Sequence, residues 1–133
     1  MDNIEHIGIA VKSLRDASPL YERLLGYKSY KTEQVASENV ITEFFKVGDT
    51  KIELLEASSD ESTIHGFIQK KGEGIHHIAF AVDDIVKEMA RLKNDGFQLL
   101  SDHPRIGADN KLVCFVHPKS SHGVLIELCQ EIK

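Results

Sequence analysis

The run HIGIAV at residues 6–11 returns 71 residues later as HIAFAV at 77–82. A strand written twice, with a histidine at the same place, points to a chain built by tandem duplication. His6 falls on His77, Ile7 on Ile78, Ala10 on Ala81 and Val11 on Val82. The register persists downstream: Glu53 in KIEL and Glu127 in LIEL lie 74 residues apart, so only loop lengths differ.

The first copy opens with a strand at about 4–11 and a helix at about 13–25. Ser13 is placed to cap that helix, Ala17, Leu20 and Leu24 share a face, and Gly26 ends it. Pro19 is expected to distort its first turn. Three β-rich runs follow, YKSYKTEQVA, NVITEFFKV and TKIELLEA, with a GD turn between the last two. The second copy repeats the order. A strand at 75–82 leads to a helix at about 84–95, capped by Asp83 or Asp84, with Ile85, Met89 and Leu92 on one face. Strands are then expected around FQLL, KLVCFVH and GVLIELCQ. Each copy therefore reads β-α-β-β-β, over about 1–57 and about 74–133, with a short helix in the linker. A module of that size buries only about 60% of its unfolded surface. The two should pack as one domain of α+β class spanning 1–133.

Strand alternation decides which side chains share a face. His6, Gly8 and Ala10 point one way, as do His77, Ala79 and Ala81, so each histidine is followed by small residues that leave space. Glu53 and Glu127 occupy matching places in the closing strands among aliphatic neighbours, where an ionised carboxylate is costly unless paired or metal-bound. Two His and two Glu, contributed symmetrically, make a ligand set for a divalent ion with positions left for water or substrate. Nitrogen and oxygen donors suit cobalt, manganese, nickel or zinc. His76 lies on the opposite face from His77 and is excluded.

A net charge of −5 leaves no basic stripe to neutralise phosphates, which argues against nucleic acid. No apolar run is long enough to span a bilayer. The opening MDNIEHI lacks the pattern of a signal peptide, so the cytoplasm is the expected location. Cys114 and Cys129 read as two buried free thiols.

The doubled module with His and Glu on matching strands resembles the vicinal oxygen chelate superfamily. Within it, the chain resembles the methylmalonyl-CoA epimerase family along nearly its whole length. The stretches that carry the likeness are HIGIAVKSL (6–14), ESTIHGFIQKKGEGIHHIAFAVDDI (61–85) and HPKSSHGVLIEL (117–128). The resemblance implies a curved, partly open mixed sheet with a metal-binding cleft and one divalent ion per subunit. His6, Glu53, His77 and Glu127 would be the ligands; the second is Gln in some epimerases and Glu in others. It further implies an acyl-CoA substrate, a homodimer, and epimerisation by α-proton abstraction and return. Glu43 would be one base, in keeping with its apolar neighbours, and Glu127 the other. In HPKSSHG, Lys119 and Ser120 are expected near the substrate carboxylate. A glyoxalase I-type isomerase and a non-catalytic ligand-binding protein are the alternatives within the superfamily.

Overall fold

The computed structural model describes all residues from Met1 to Lys133. Its elements run β1 (Asn3–Ala10), α1 (Leu14–Leu25), β2 (Lys31–Val35), β3 (Val40–Val47), β4 (Thr50–Ala57), α2 (Thr63–Lys71), β5 (Gly74–Ala81), α3 (Ile85–Asn94), β6 (Arg105–Ile106), β7 (Lys111–Val116) and β8 (Ile126–Glu131). The order is β-α-β-β-β, a linking helix, and β-α-β-β-β again. The fold class is therefore the one expected from the repeat.

Contacts divide the chain into two compact units: Ile7–His76, and Met1–His6 together with His77–Lys133. The division falls inside β1, just after His6, and inside β5, just before His77.

In Ile7–His76, β2 pairs antiparallel with β3, and β3 with β4. Val11 donates its N–H to Leu55 O at 2.9 Å, tying β1 to β4. Alternation gives β3 and β4 two apolar faces. On one, Phe45, Leu54 and Ile52 pack with Val11 and with Leu14, Ala17, Tyr21 and Leu25 of α1. On the other, Val40 and Leu55 pack with Ala10 and with Ile64, Phe67 and Ile68 of α2.

The inward, half-buried stripe of α1 is thus Leu14, Ala17, Tyr21 and Leu25, while Leu20 and Leu24 are 50% and 70% exposed. Both stripes satisfy helical spacing, and the sequence pattern alone selected the wrong one. The buried alternative depends on Tyr21, whose ring packs inward while its hydroxyl can remain wet. Pro19 sits within α1 without ending it. Ser13 occupies the N-cap position, but its side chain makes no cap bond; Glu56 Oε1 on β4 accepts the Leu14 N–H at 2.7 Å instead.

In the other unit, β5 pairs parallel with β8, β8 antiparallel with β7, and β7 antiparallel with β6. The opening segment joins this unit through Asp2 N–H, which donates to Ala81 O at 2.9 Å. Ile85, Met89 and Leu92 of α3 pack on Val82, Cys114, Val116 and Leu128 as their spacing predicts. Truncating a side chain as enclosed as Ile85 or Leu128 costs about 2–5 kcal/mol. Asp84 caps α3 by accepting the Lys87 N–H at 3.1 Å. The opposite face carries the smaller cluster of Ala79, Val113 and Cys129 with Phe115.

FQLL is not a full strand. Phe97 and Leu99 pack into the α3 core, and only Leu99 bridges Val116. The chain then passes through Pro104, which has no N–H to donate to a ladder, and β6 forms at Arg105–Ile106.

Candidate metal centre

The second unit brings three of the expected ligands together. His6 comes from the end of the opening segment, His77 from the start of β5, and Glu127 from β8. Glu127 stands opposite Ala79 in the parallel pair and opposite Phe115 in the antiparallel one. Alternation therefore sends it to the same face as His77, on the side away from α3, where the small Ala79 and Ala81 follow the histidine. His6 Nε2 lies 3.0 Å from His77 Nε2. Glu127 Oε1 lies 3.2 Å from His77 Nε2 and 3.6 Å from His6 Nε2. All three residues are buried, at 4–6% exposure.

Donors roughly 2.0–2.2 Å from a common ion stand about 3 Å apart when adjacent in an octahedral shell. The observed separations match that spacing. Two imidazoles and one carboxylate also have the composition of a transition-metal site. The residues present therefore fit a divalent cation.

The surroundings hold the donors in place. Glu5 Oε1 lies 2.7 Å from His6 Nδ1. The Cys129 thiol donates to Glu127 Oε2 at 3.1 Å, leaving Oε1 turned towards the histidines. The His77 ring meets Phe115 edge-on at 6.0 Å between centroids, and the Arg105 guanidinium lies 5.5 Å over the Phe115 ring. Burial acts to raise the Glu127 pKa, but hydrogen bonding and charge from His6, the charge of His77 and the Cys129 thiol outweigh it. The carboxyl is held below its usual range. Burial, reinforced by the Glu127 charge, pushes the Cys114 thiol up to about 11. Burial likewise takes Cys129 up to about 12.

Glu53 and Glu43 lie in the other unit, on β4 and β3. Glu53 is buried at 4% exposure and stands opposite Phe44, as Glu127 stands opposite Phe115. Glu43 stands opposite Leu54 and accepts a hydrogen bond from Ser29 Oγ at 2.7 Å. Directly opposed residues of an antiparallel pair share a face. Glu43 is thus on the Leu54 and Phe45 face, which α1 covers, and Glu53 is on the other. The second copy agrees: the place of Glu43 is taken there by Cys114, which packs against α3. Strand parity thus puts the expected base and the expected fourth ligand on opposite faces of the β3–β4 pair.

Lys119 and Ser120 lie in a short helical turn, Pro118–Ser121. Ser120 Oγ accepts the Gln98 N–H at 2.8 Å and His117 Nδ1 accepts the Lys119 N–H at 3.0 Å, which ties the turn down, while Lys119 is exposed. Sequence reasoning missed Glu5, Phe115 and Cys129. Glu5 had a signal, being a carboxylate beside a candidate ligand. Cys129 had only its i+2 spacing from Glu127.

A family model of the Glyoxalase/Bleomycin resistance protein/Dioxygenase superfamily matches residues 5–115. The ethylmalonyl-CoA/methylmalonyl-CoA epimerase of Cereibacter sphaeroides is 40% identical over 96% of this chain and 96% of its own. The mitochondrial methylmalonyl-CoA epimerase of Mus musculus is 38% identical over 98% of this chain and 74% of its own. Among solved structures, a variant of Streptomyces coelicolor methylmalonyl-CoA epimerase in complex with 2-nitronate-propionyl-CoA superposes with a TM-score of 0.95. It is 33% identical, covering 98% of this chain and 95% of that one.

Proposed function

For a chain that belongs to the Glyoxalase/Bleomycin resistance protein/Dioxygenase superfamily, we propose the activity of a methylmalonyl-CoA epimerase, interconverting the R and S forms at C2. The observation that carries this reading is the buried His6–His77–Glu127 trio in a chain that matches epimerases end to end.

The α-proton of a thioester is weakly acidic, so the negative charge left by its removal must be stabilised strongly. A divalent cation of the cobalt, manganese, nickel or zinc class would supply that stabilisation and a template for the substrate's oxygens. His6, His77 and Glu127 would hold it, with Nε2 of each histidine and Oε1 of Glu127 turned towards one another. Glu53 is the fourth ligand in this reading, supported by its equivalence to Glu127 in the repeat and by its burial. Glu127 is also assigned one proton transfer at C2, with Oε2 kept in place by the Cys129 thiol. Lys119, on an ordered turn, is assigned to the acidic end of the acyl-CoA. The two modules act as one domain, and the active species is a homodimer in the cytoplasm, supported by the exposed Leu20 and Leu24 on α1. No helix is long and apolar enough to cross a membrane.

The test is deuterium incorporation at C2 of methylmalonyl-CoA in deuterated water, with metal and after chelation. Exchange from both stereoisomers that chelation abolishes is the expected outcome. A metal-loaded protein that exchanges neither overturns the proposal.

A further inference from the structure

Glu5 is a carboxylate at 8% exposure whose Oε1 lies 2.7 Å from His6 Nδ1. An ionised carboxylate only accepts hydrogen bonds, and a neutral imidazole carries one N–H. The contact therefore places the ring proton on Nδ1 and the lone pair on Nε2. Nε2 is the atom turned towards His77 Nε2 and Glu127 Oε1. We infer that Glu5 is a positioning residue for the metal centre, fixing the His6 tautomer and ring orientation so that Nε2 is offered as a ligand. The inference rests on the metal-dependent reading above and extends it to a residue that reading does not use.

The second copy does not repeat this carboxylate. The place of Glu5 in the second copy is taken by His76, whose ring meets Phe67 edge-on at 4.9 Å. The His77 ring packs edge-on against Phe115. A carboxylate behind a ligating imidazole also raises the basicity of the donor nitrogen, and removing such a partner typically weakens metal binding about 10–100-fold.

Glu5, His6 and Cys129 also bring one donor each within 4.8 Å of one another, so a rival arrangement has Glu5 and Cys129 as direct ligands. Glu5 Oε1 already engages Nδ1 at 2.7 Å, and Nε2 is the nitrogen that faces His77 and Glu127, which favours the hydrogen bond.

The experiment measures cobalt(II) affinity by competition with a chelating indicator, alongside the visible spectrum of the bound ion and the melting temperature of the metal-free protein. In Glu5→Ala the affinity should fall about 10–100-fold. Glu5→Gln, whose amide oxygen still accepts from Nδ1, should lose less, and His76→Ala should bind within about threefold of the parent. Should Glu5→Ala not fold, Glu5→Gln decides: a weaker site supports the inference and unchanged affinity overturns it. Parental affinity in Glu5→Ala overturns it too, as does a thiolate-to-cobalt charge-transfer band in the parent, which would make Cys129 a ligand. A parent protein that binds no cobalt at all refutes the metal-dependent reading itself, a separable result.

Discussion

The two β-α-β-β-β modules share their backbone devices and differ in their chemistry. In the first, Val11 N–H donates to Leu55 O, and Glu56 accepts the N–H of the first residue of α1. In the second, Val82 N–H donates to Cys129 O at 2.9 Å, and Gln130 Oε1 accepts the N–H of the first residue of α3 at 2.8 Å. Each helix is followed by a glycine, Gly26 and Gly96, at φ +89°. That left-handed conformation favours a residue without Cβ. Against this constancy, Glu43 is matched by Cys114, Leu55 by Cys129 and Glu5 by His76. The exposed Leu20 and Leu24 of α1 are matched by Arg91 and Asp95. Duplication kept the groups that satisfy backbone donors, because losing one leaves a polar group unpaired in either copy. Side chains around the ligands were free to diverge.

The sharpest way to break the comparison is to treat the matching carboxylates alike. Glu127→Gln should lower kcat about 10²–10⁴-fold, since it removes a charged ligand and a proton-transfer group together. Glu53→Gln should stay within about tenfold of the parent, because an amide oxygen still donates a lone pair. Glu43→Gln, on the α1 side, should epimerise at close to the parental rate. Steady-state kinetics on metal-loaded variants checks all three, and a severe loss in Glu43→Gln would refute the strand-parity argument.

A smaller effect separates Cys114 from Glu43. A thiol whose folded pKa is raised from 9.0 to about 11 binds its proton more tightly in the native state. Its contribution is therefore full below pH 9 and is lost as pH rises from about 9 to about 11. Two pKa units correspond to about 2–3 kcal/mol at the upper end of that window. Urea unfolding from pH 8 to 11 should show the decline in the parent and a flatter profile in Cys114→Ala, which starts from a lower baseline.

The smallest effect tests the shared devices. Glu56→Ala and Gln130→Ala should each cost about 1 kcal/mol by exposing a helix N–H. Denaturant midpoints that moved in only one variant would mean that the caps, though geometrically alike, are not equivalent in energy.

The sequence carried the element order, the α3 face and the His6–His77–Glu127 trio, because each rests on a period or a register that survives in one dimension. The face of Glu43 depends on the register across the GD turn, which sets it opposite Leu54 and away from Glu53; neither its apolar neighbours nor the family likeness carries that register. The α1 stripe was ambiguous because two sets of apolar residues fit one turn angle. FQLL looked like a strand because its apolar residues alternate; its pairing with β7 stops at Leu100 and resumes only past Pro104, at Arg105. Glu5 and Cys129 became visible only through distances, since a neighbour in sequence is not evidence of where a side chain turns.

His6 is synthesised before all of Ile7–His76, yet it belongs to the unit whose other part follows that segment. Ile7–His76 is continuous and holds its own two apolar clusters, so its parts are all available while the remaining half is still being synthesised. The opening segment must wait for β5 and β8. At about 5–20 residues per second that interval lasts several seconds, during which His6 has neither His77 nor Glu127 beside it. The trio is complete only once β8 has been made and packed beside β5 and His6. A protein truncated shortly before Glu127 would retain every residue of the continuous unit and both histidines, but not the carboxylate that completes the trio.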